Sequence, residues 1–338
     1  MTTNAMQNYD PTLLLEKQMW DITPSMQYDG GDVRSWQKKL KSKLNELLGL
    51  NRKQVERCEL NARSLWKRDN QYGTIEKIVF ASEPGHDIPA YVCLPKNVTG
   101  PMPFFICLQG HSTGMHNSIA VAIDDETKTI EVKGDRDFGI GCIKRGIPAI
   151  CIEQRAFGEC KDTREEGCHP SSVMAIMMGR TLLGDRIFDV DRTIDYLESR
   201  GDVDMSRVGV MGNSGGGTVS MFAGGLLDRI THVMPSSSFS SFKASIMSIH
   251  HCTCNYIPNL LLYAESSDVV GLSAPKPMVI VNGVEDGIFP IKESKEEFEK
   301  LKRIYAAMGA AKHCHHVVCD GGHRFYADDA WDIMKREM

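Results

Sequence analysis

The sequence of 338 residues lacks any uninterrupted apolar run of about 18 residues, the length that a membrane-spanning helix needs. It also lacks, near its first residue, the basic segment and apolar stretch of a secretory signal peptide. Basic side chains form no stripe or block, because 39 Lys and Arg are mixed with 44 Asp and Glu. The net charge of −5 argues against nucleic acids and anionic membranes as partners. We expect a cytoplasmic protein with no nucleic-acid partner and no membrane partner.

The cysteine count of 11 is odd, which does not favour a framework of disulfides. Cys93, Cys107 and Cys151 lie inside short apolar runs that are typical of buried strands. We expect these thiols to pack as small apolar side chains in a reducing compartment. With 42% hydrophobic and 25% charged residues, the composition is that of a globular protein with a substantial core.

The segment before residue 74 has helical periodicity, clearest in DVRSWQKKLKSKLNELLGL. Trp36, Leu40 and Leu44 recur once per turn and form one apolar stripe on a charged helix. We predict an N-terminal helical extension over residues 1–73, packed on a main domain of residues 74–338. The alternative is that the stripe serves as a lid or as a contact between copies of the chain, so a homo-oligomer stays open.

From residue 74 the periodicity changes to that of strands. TIEKIVFAS and DIPAYVCLP predict two antiparallel strands joined by a turn at EPGH. Apolar strand-like runs then alternate with amphipathic helix-like segments, which indicates a mainly parallel central sheet with helices on both faces. The connections are short except at 111–133 and 156–180, and long loops in compact domains commonly carry function. The predicted fold class is therefore α/β.

Five glycines surround one serine in GVMGNSGGG, between a strand-like and a helix-like segment. Residues 212–216 match G-x-S-x-G, a motif in which a tight turn lifts a nucleophilic serine, here Ser214, above the sheet. The neighbours must be small because the backbone is pinched, and the Gly215 N–H can stabilise an oxyanion. Glycine-rich turns also bind phosphate groups, but no Lys-Ser or Lys-Thr follows these glycines, which excludes a P-loop.

A nucleophilic serine needs a histidine base and an acid that orients the base, in the order Ser, Asp or Glu, His. Asp286 follows a later strand-like run, and His323 lies in a glycine-rich loop after the next run. Because parallel strands end on one side of a sheet, both are expected beside Ser214. We predict Ser214, Asp286 and His323 as the catalytic residues. Weaker candidates for the acid are Glu285, Asp268 and Asp320.

The loop LQGHSTGMHNS leaves the strand-like PFFICL and can supply a second oxyanion donor. The backbone N–H of His111 is our candidate, so the predicted oxyanion hole consists of His111 and Gly215. The side chains of His111 and His116 are alternatives as substrate contacts or metal ligands, but their spacing fits no common metal pattern. The predicted substrate-binding residues are His116, His250 and His251.

Two histidines and two cysteines lie close together in SIHHCTCNYIP: His250, His251, Cys252 and Cys254. Their spacing is unlike that of structural zinc sites, and the run HCHHVVC at 313–319 completes a site only if the two segments meet. We expect no metal and no cofactor, with the cysteines in the core and the histidines lining a pocket. Glu153 and Arg155, at the end of another strand, predict an ion pair that braces nearby loops.

Together these motifs resemble the α/β-hydrolases, and more closely the dienelactone-hydrolase-like group that includes acetyl xylan esterases. The resemblance covers roughly residues 75–335 and rests on linked segments, among them LQGHSTG, GVMGNSGGG, HHCTCNYIPNLL, VIVNGVEDGIFPI and GGHRFY. It implies an α/β-hydrolase fold, a catalytic triad and oxyanion hole at the residues given above, and no cofactor. Secreted polysaccharide esterases of the group need an export signal, so a small acylated sugar or a related ester is the expected substrate here.

The leading interpretation is a serine carboxylester hydrolase that works through an acyl-enzyme intermediate on a small ester. One alternative is an amidase or peptidase of the same fold, which would cleave amides faster than esters. Another is a zinc-binding or ligand-binding protein on a hydrolase scaffold, which would use the His/Cys cluster. We expect the loops at 111–133, 156–180 and 235–262 to shape the pocket and set its selectivity.

Overall fold

The structure, a computed structural model, describes residues 9–51, 57–98, 100–161 and 167–338. Within these ranges nine strands form one sheet. In chain order they are β1 (Arg63–Asp69), β2 (Gly73–Glu83), β3 (His86–Pro95), β4 (Met102–Leu108), β5 (Ala149–Ile152), β6 (Val203–Asn213), β7 (His232–Ser236), β8 (Met278–Gly283) and β9 (Cys314–Cys319). Across the sheet their order is β1-β2-β3-β5-β4-β6-β7-β8-β9.

The sheet begins antiparallel and then becomes parallel. β1, β2, β3 and β5 pair antiparallel in that order, and the predicted hairpin places Glu83 opposite His86. From β5 to β9 every neighbouring pair is parallel. The carboxyl ends of these strands therefore meet at one edge, where ligands bind in sheets of this kind.

Helices cover both faces of the sheet, as the alternating pattern predicts. They are α1 (Pro11–Asp21), α2 (Val33–Leu47), α3 (Phe138–Lys144), α4 (His169–Met177), α5 (Leu182–Arg200), α6 (Gly215–Leu226), α7 (Ser266–Gly271), α8 (Ile291–Ala307) and α9 (Ala327–Glu337). One core, which includes Leu44, Ile187 and Val219, joins α2, α5 and α6 to the sheet. A second core around Phe138 and Trp331 joins α3 and α9 to the other face. The central strands are apolar on both faces because both faces are covered.

The apolar stripe of α2 packs inside the chain. Leu40 and Leu44 are fully buried in the first core, beside residues of the helices that cover the sheet. In contrast, α1 exposes Leu13, Leu14 and Trp20. A contact between copies of the chain through such side chains stays a prediction. None of the helices in the described ranges combines the length and apolar character needed to cross a bilayer.

The sequence pattern does not predict β1. Its residues RSLWKRD are mostly exposed, with only Trp66 half-buried, so they carry no alternation of apolar and polar side chains. β1 nevertheless adds to the sheet beside β2, although it precedes residue 74. The boundary between an N-terminal extension of residues 1–73 and a main domain of residues 74–338 stays a prediction.

Candidate active site

The serine motif lies where β6 ends at Asn213 and α6 begins at Gly215. Ser214, between them, has a φ of 56° and a ψ of −121°, a conformation that strains a residue with a Cβ atom. Its N–H donates to the carbonyl of Ser236 in β7 at 2.9 Å, which ties the turn to the next strand. This sharp strand-to-helix bend is the structural context that the G-x-S-x-G motif requires.

The glycines around Ser214 make room for neighbouring backbone. A Cβ atom on Gly216 would lie 2.1 Å from the carbonyl oxygen of Leu108, and one on Gly212 would lie 2.4 Å from the carbonyl carbon of Gly216. A Cβ atom on Gly217 would lie 2.4 Å from the hydroxyl oxygen of Ser238. Because backbone atoms cannot yield as a flexible side chain can, the bend accepts no larger residue at Gly212 or Gly216.

An acid and a histidine lie together at the same edge of the sheet. Nδ1 of His323 is 2.9 Å from Oδ2 of Asp286, whose side chain is fully buried. The other carboxylate oxygen of Asp286 accepts the N–H groups of Ile288 and Phe289 at 2.9 and 3.2 Å. Burial alone would raise the pKa of Asp286, but the His323 hydrogen bond and charge and these N–H groups hold it below its usual range. Asp286 is thus a fixed, ionised partner for the imidazole.

The weaker candidates for the acid lie elsewhere. Glu285 and Asp320 are exposed. Asp268 is in a capping box at the start of α7, where its carboxylate accepts the N–H groups of Glu265 and Tyr28. Of these acids, Asp286 is the one that His323 contacts.

The loop after β4 lies directly against the serine turn. A Cβ atom on Gly110 would lie 3.0 Å from Cβ of Ser214, and one on Gly215 would lie 2.8 Å from the imidazole ring of His111. The Gly215 N–H opens α6 and has no acceptor within the helix. The N–H of His111 donates to no residue that the structure describes. Two backbone N–H groups without an acceptor among the described residues therefore lie near Ser214, and their role as an oxyanion hole stays a prediction.

A series of rings leads from His323 toward the serine turn. The ring of His323 stacks on Phe289 with 6.0 Å between centroids, and Phe289 meets His251 edge-on at 6.5 Å. His251 in turn meets His111 edge-on at 5.8 Å. The Ser214 hydroxyl hydrogen-bonds to none of the described residues, so the contact from serine to imidazole is not closed here. Such contacts commonly tighten only in the complex with substrate.

Ser214 opens into a cleft of about 870 Å³. The three long loops of the sequence analysis all contribute to its walls, with Thr113 and Ile123 from the first, Phe157 from the second and Ile249 from the third. Residues 162–166, which belong to the second loop, lie outside the described residues. The volume is in the range of pockets that bind small molecules.

All three histidines predicted to bind substrate line this cleft. His250 is exposed, whereas burial lowers the pKa of both His116 and His251. Nδ1 of His116 is buried and has no hydrogen-bond partner among the described residues. These histidines are therefore at the surface that a ligand would meet, and their contact with substrate stays a prediction.

The cysteines of SIHHCTCNYIP meet residues from two other loops. The metal-binding atoms of His111, Cys168, Cys252 and Cys254 all lie within 4.8 Å of one another. The run at 313–319 does not take part, because His313 and His315 contact Glu337 at the far end of the chain. His316 contacts Asn282 instead. The condition for a site shared with the run at 313–319, that the two segments meet, is therefore not fulfilled.

Glu153 and Arg155 do not form the predicted ion pair. Glu153 accepts the N–H groups of Met115 and Glu159, and so holds together the loops after β4 and β5. Arg155 instead bonds Glu83 and Asp189. The two side chains point in different directions from the end of the strand. Each holds neighbouring segments together, but through different partners and not through a bond with the other.

Sequence reasoning missed two residues of the site, Cys168 and Arg186. Cys168 is remote in sequence from the other members of the cluster, in a loop without periodic pattern. Arg186 lies in α5 among residues that pack in the core, and its side chain is buried. A charged residue on the apolar side of a predicted amphipathic helix is the one signal that marks Arg186.

Solved structures share this architecture at low sequence identity. A protein of Bacteroides fragilis NCTC 9343 that is named as an acetyl xylan esterase has a TM-score of 0.76 and 15% identity, covering 95% of this chain and 84% of that one. A glucuronoyl esterase from Solibacter usitatus has a TM-score of 0.66 and 15% identity, covering 93% and 96%. The fold is that of the α/β-hydrolases, as predicted.

The sequence model of the acetyl xylan esterase family (AXE1) matches residues 45–265, more than half of the chain. The chain therefore belongs to the acetyl xylan esterase family. The protein YtaP of Bacillus subtilis (strain 168), which is named as a hydrolase, is 25% identical over 268 residues, or 78% of this chain and 86% of YtaP. The predicted class of activity is confirmed: the protein is a serine carboxylester hydrolase.

Proposed function

We propose that this esterase removes short acyl groups from small acylated sugars through Ser214, His323 and Asp286. The observation that carries the proposal is the 2.9 Å contact between His323 and Asp286, at the sheet edge where Ser214 has its strained turn. Membership of the acetyl xylan esterase family supports the acyl-sugar part, and the cleft volume of about 870 Å³ supports a small substrate.

In the first step, the Ser214 hydroxyl attacks the ester carbonyl. Since Nδ1 of His323 faces Asp286, Nε2 is the nitrogen left to accept the serine proton. Asp286 fixes the orientation of the ring and stabilises the imidazolium that forms. A buried carboxylate that already accepts two backbone N–H groups does not have to reorganise during this step.

The tetrahedral intermediate places a negative charge on the former carbonyl oxygen. The N–H groups of Gly215 and His111 donate to that oxygen in our proposal, with the start of α6 adding a favourable dipole. His323 then gives its proton to the leaving sugar alkoxide, which departs as an alcohol. Water, activated by the same imidazole, hydrolyses the acyl-enzyme and releases the acid. No cofactor enters these steps.

We also propose a reducing compartment, the cytoplasm, as the place of action. All eleven cysteines are free thiols, and seven of them are buried. A fold with so many buried thiols is typical of proteins made where disulfides do not form.

The first experiment is labelling with a fluorophosphonate, followed by intact mass and peptide mapping. We expect one adduct, on Ser214, in the wild type and none in Ser214→Ala. Ser112→Ala is the matched control, because Ser112 lines the same cleft and should leave labelling unchanged. An adduct on another residue, or none on folded wild type, would contradict the role of Ser214.

The substrate is tested with unlabelled enzyme from a preparation that reacts with the fluorophosphonate. Initial rates are compared for matched series of acetylated monosaccharides, uronate methyl esters and acetanilides. We expect the acetylated sugars to give the highest kcat/KM. Faster turnover of methyl esters would leave the triad intact but reject the acyl-sugar proposal. Faster turnover of amides would favour the amidase alternative.

A further inference from the structure

The structure assigns a structural Zn²⁺ site to His111, Cys168, Cys252 and Cys254. The four come from three loops that are distant in the sequence: the loop after β4, the end of the loop before α4, and the loop after β7. Their ligand atoms all lie within 4.8 Å of one another, and Nε2 of His111 is 3.0 Å from Sγ of Cys254. No other such group of three or more metal-binding side chains occurs among the residues that the structure describes.

The residue types select the metal. Three thiolates and one imidazole form a Cys₃His set, which is a standard tetrahedral environment for Zn²⁺, and soft sulfur ligands exclude Ca²⁺ and Mg²⁺. Zinc–sulfur bonds of about 2.3 Å place tetrahedral ligand atoms about 3.8 Å apart. The observed limit of 4.8 Å is therefore within about 1 Å of what bound zinc requires, a shift that side-chain rotation can supply.

The charge around the cluster also fits a metal with three thiolates. The guanidinium of Arg186 is buried and donates to Sγ of Cys254 and Sγ of Cys168, at 3.3 Å each. Its remaining hydrogen bonds go to the carbonyl of Arg155, and no carboxylate of the described residues forms an ion pair with it. An isolated buried cation is costly. Zn²⁺ with three thiolates and one imidazole carries a net charge of −1, which Arg186 neutralises.

The surroundings of the cluster provide both an outer shell and an entry path. N–H groups that donate to zinc-bound sulfur orient the ligands, and Arg186 donates to two of the three sulfurs. Phe157 packs on the guanidinium at 4.2 Å and on the His111 ring at 5.0 Å. Cys168 and Cys254 are buried, whereas His111 and Cys252 are half-buried and line the cleft. A zinc ion can therefore reach the site from the cleft.

The role of this zinc is structural rather than chemical. Four protein ligands complete a tetrahedral shell and leave no position for water or substrate. By binding Nε2 of His111, zinc fixes the loop that lies against Gly215 and Ser214. The inference about zinc does not depend on the proposed esterase mechanism, because it rests on the ligand set and on Arg186.

The test is the zinc content of the full chain, purified from zinc-supplemented medium and dialysed against metal-free buffer. We expect about one zinc per chain in the wild type and at least a tenfold loss in Cys254→Ala and Cys252→Ala. Cys142→Ala is the matched control, because Cys142 is fully buried in another core. This variant should contain as much zinc as the wild type. Ser214→Ala should also keep zinc, which separates failure of this proposal from failure of the esterase mechanism.

A second measurement avoids variants that fail to fold. Wild-type protein stripped with a chelator under reducing conditions is titrated with Co²⁺, and we expect thiolate-to-cobalt charge-transfer absorption that saturates at about one equivalent and disappears when Zn²⁺ is added. Three outcomes would overturn the proposal: a wild type free of zinc, equal zinc in Cys254→Ala and wild type, or no thiolate–cobalt absorption. A disulfide within the cluster, seen as a loss of two hydrogens in the intact mass of freshly purified protein, would overturn it as well.

Discussion

The buried carboxylate of Asp286 holds Nδ1 of His323 at 2.9 Å while its second oxygen accepts two backbone N–H groups. The carboxylate is thus bound on both sides, and the imidazole cannot turn without breaking that contact. The pKa of Asp286 lies below its usual range, so the acid stays ionised throughout the neutral range. This arrangement makes the acid the most directly testable part of the proposed mechanism.

Asp286→Asn should lower kcat on an aryl acetate by roughly 10³- to 10⁴-fold, because the amide favours the wrong tautomer of His323. KM should change little, since Asp286 does not line the cleft. Glu285→Gln is the control: Glu285 is the exposed neighbour and should retain wild-type kcat. Steady-state kinetics of the two variants decide the point. Equal losses in both would mean that the acid is not Asp286 alone.

Gly216→Ala should abolish fluorophosphonate labelling of Ser214, because the added Cβ atom would lie 2.1 Å from the carbonyl oxygen of Leu108. Gly287→Ala is the matched substitution, since a Cβ atom there meets nothing within 4 Å. Labelling should be normal in Gly287→Ala. Circular dichroism of both variants separates loss of the turn from loss of the fold. Full labelling of Gly216→Ala would show that the turn tolerates a side chain.

Glu153 gives a prediction about pH and stability. Burial raises the pKa of Glu153 to about 7, from a usual value of 4.5. At a pH between these two values, the Glu153 carboxyl is ionised in the unfolded chain but still protonated in the folded chain. The free energy of unfolding therefore falls as the pH rises through this range. The loss amounts to about 3 kcal/mol by pH 8 or so, and is absent below pH 4 or so.

Glu153→Gln should remove that dependence. Relative to wild type, its free energy of unfolding should rise by about 2.5 kcal/mol between roughly pH 5 and pH 8. Urea unfolding at the two pH values measures this change, and any constant cost of the lost acceptor cancels. Glu131→Gln, at an exposed position, is the control and should show no such change. If the free energies of unfolding of Glu153→Gln and wild type differ by the same amount at both pH values, the pKa of Glu153 is not raised by folding.

Leu44→Ala tests the packing of the N-terminal helix. Leu44 is fully buried in the core that α2 shares with the sheet, so truncation should cost about 2–5 kcal/mol. Lys39→Ala, at an exposed position of the same helix, should cost less than about 0.5 kcal/mol. Both values come from urea unfolding of the full chain. A small effect of Leu44→Ala would place α2 outside the cooperative unit.

Much of the fold is readable in the sequence because its strands are apolar on both faces and alternate with amphipathic helices. The serine turn is equally readable, since the crowded backbone leaves room only for glycine. β1 is not readable, because its mostly exposed side chains follow no pattern. The sequence does not predict which side chains lie beside Cys252 and Cys254 either. They depend on where two distant loops lie in space, and that placement follows from the sheet order rather than from local spacing.

The directions of Glu153 and Arg155 show the same limit. Both follow β5 closely, and their spacing favours a pair with each other. In the structure, Arg155 is drawn to Glu83 and Asp189, while Glu153 accepts backbone N–H groups of two loops. A charged side chain pairs with the groups that folding brings near it, and here those groups belong to a strand and a helix for Arg155 and to two loops for Glu153.

The atoms that crowd the serine turn come from separate parts of the chain. Leu108 ends β4, while Ser236 and Ser238 belong to the end of β7 and the residues after it. Because the Ser214 N–H bonds to Ser236 of β7, and β4 and β7 pair with β6 on its two sides, we expect the bend to become fixed only once these strands are joined. During refolding, the appearance of a reactive serine would mark the moment at which these three strands come together. Short pulses of the labelling reagent at successive refolding times would therefore measure how fast the centre of the sheet assembles.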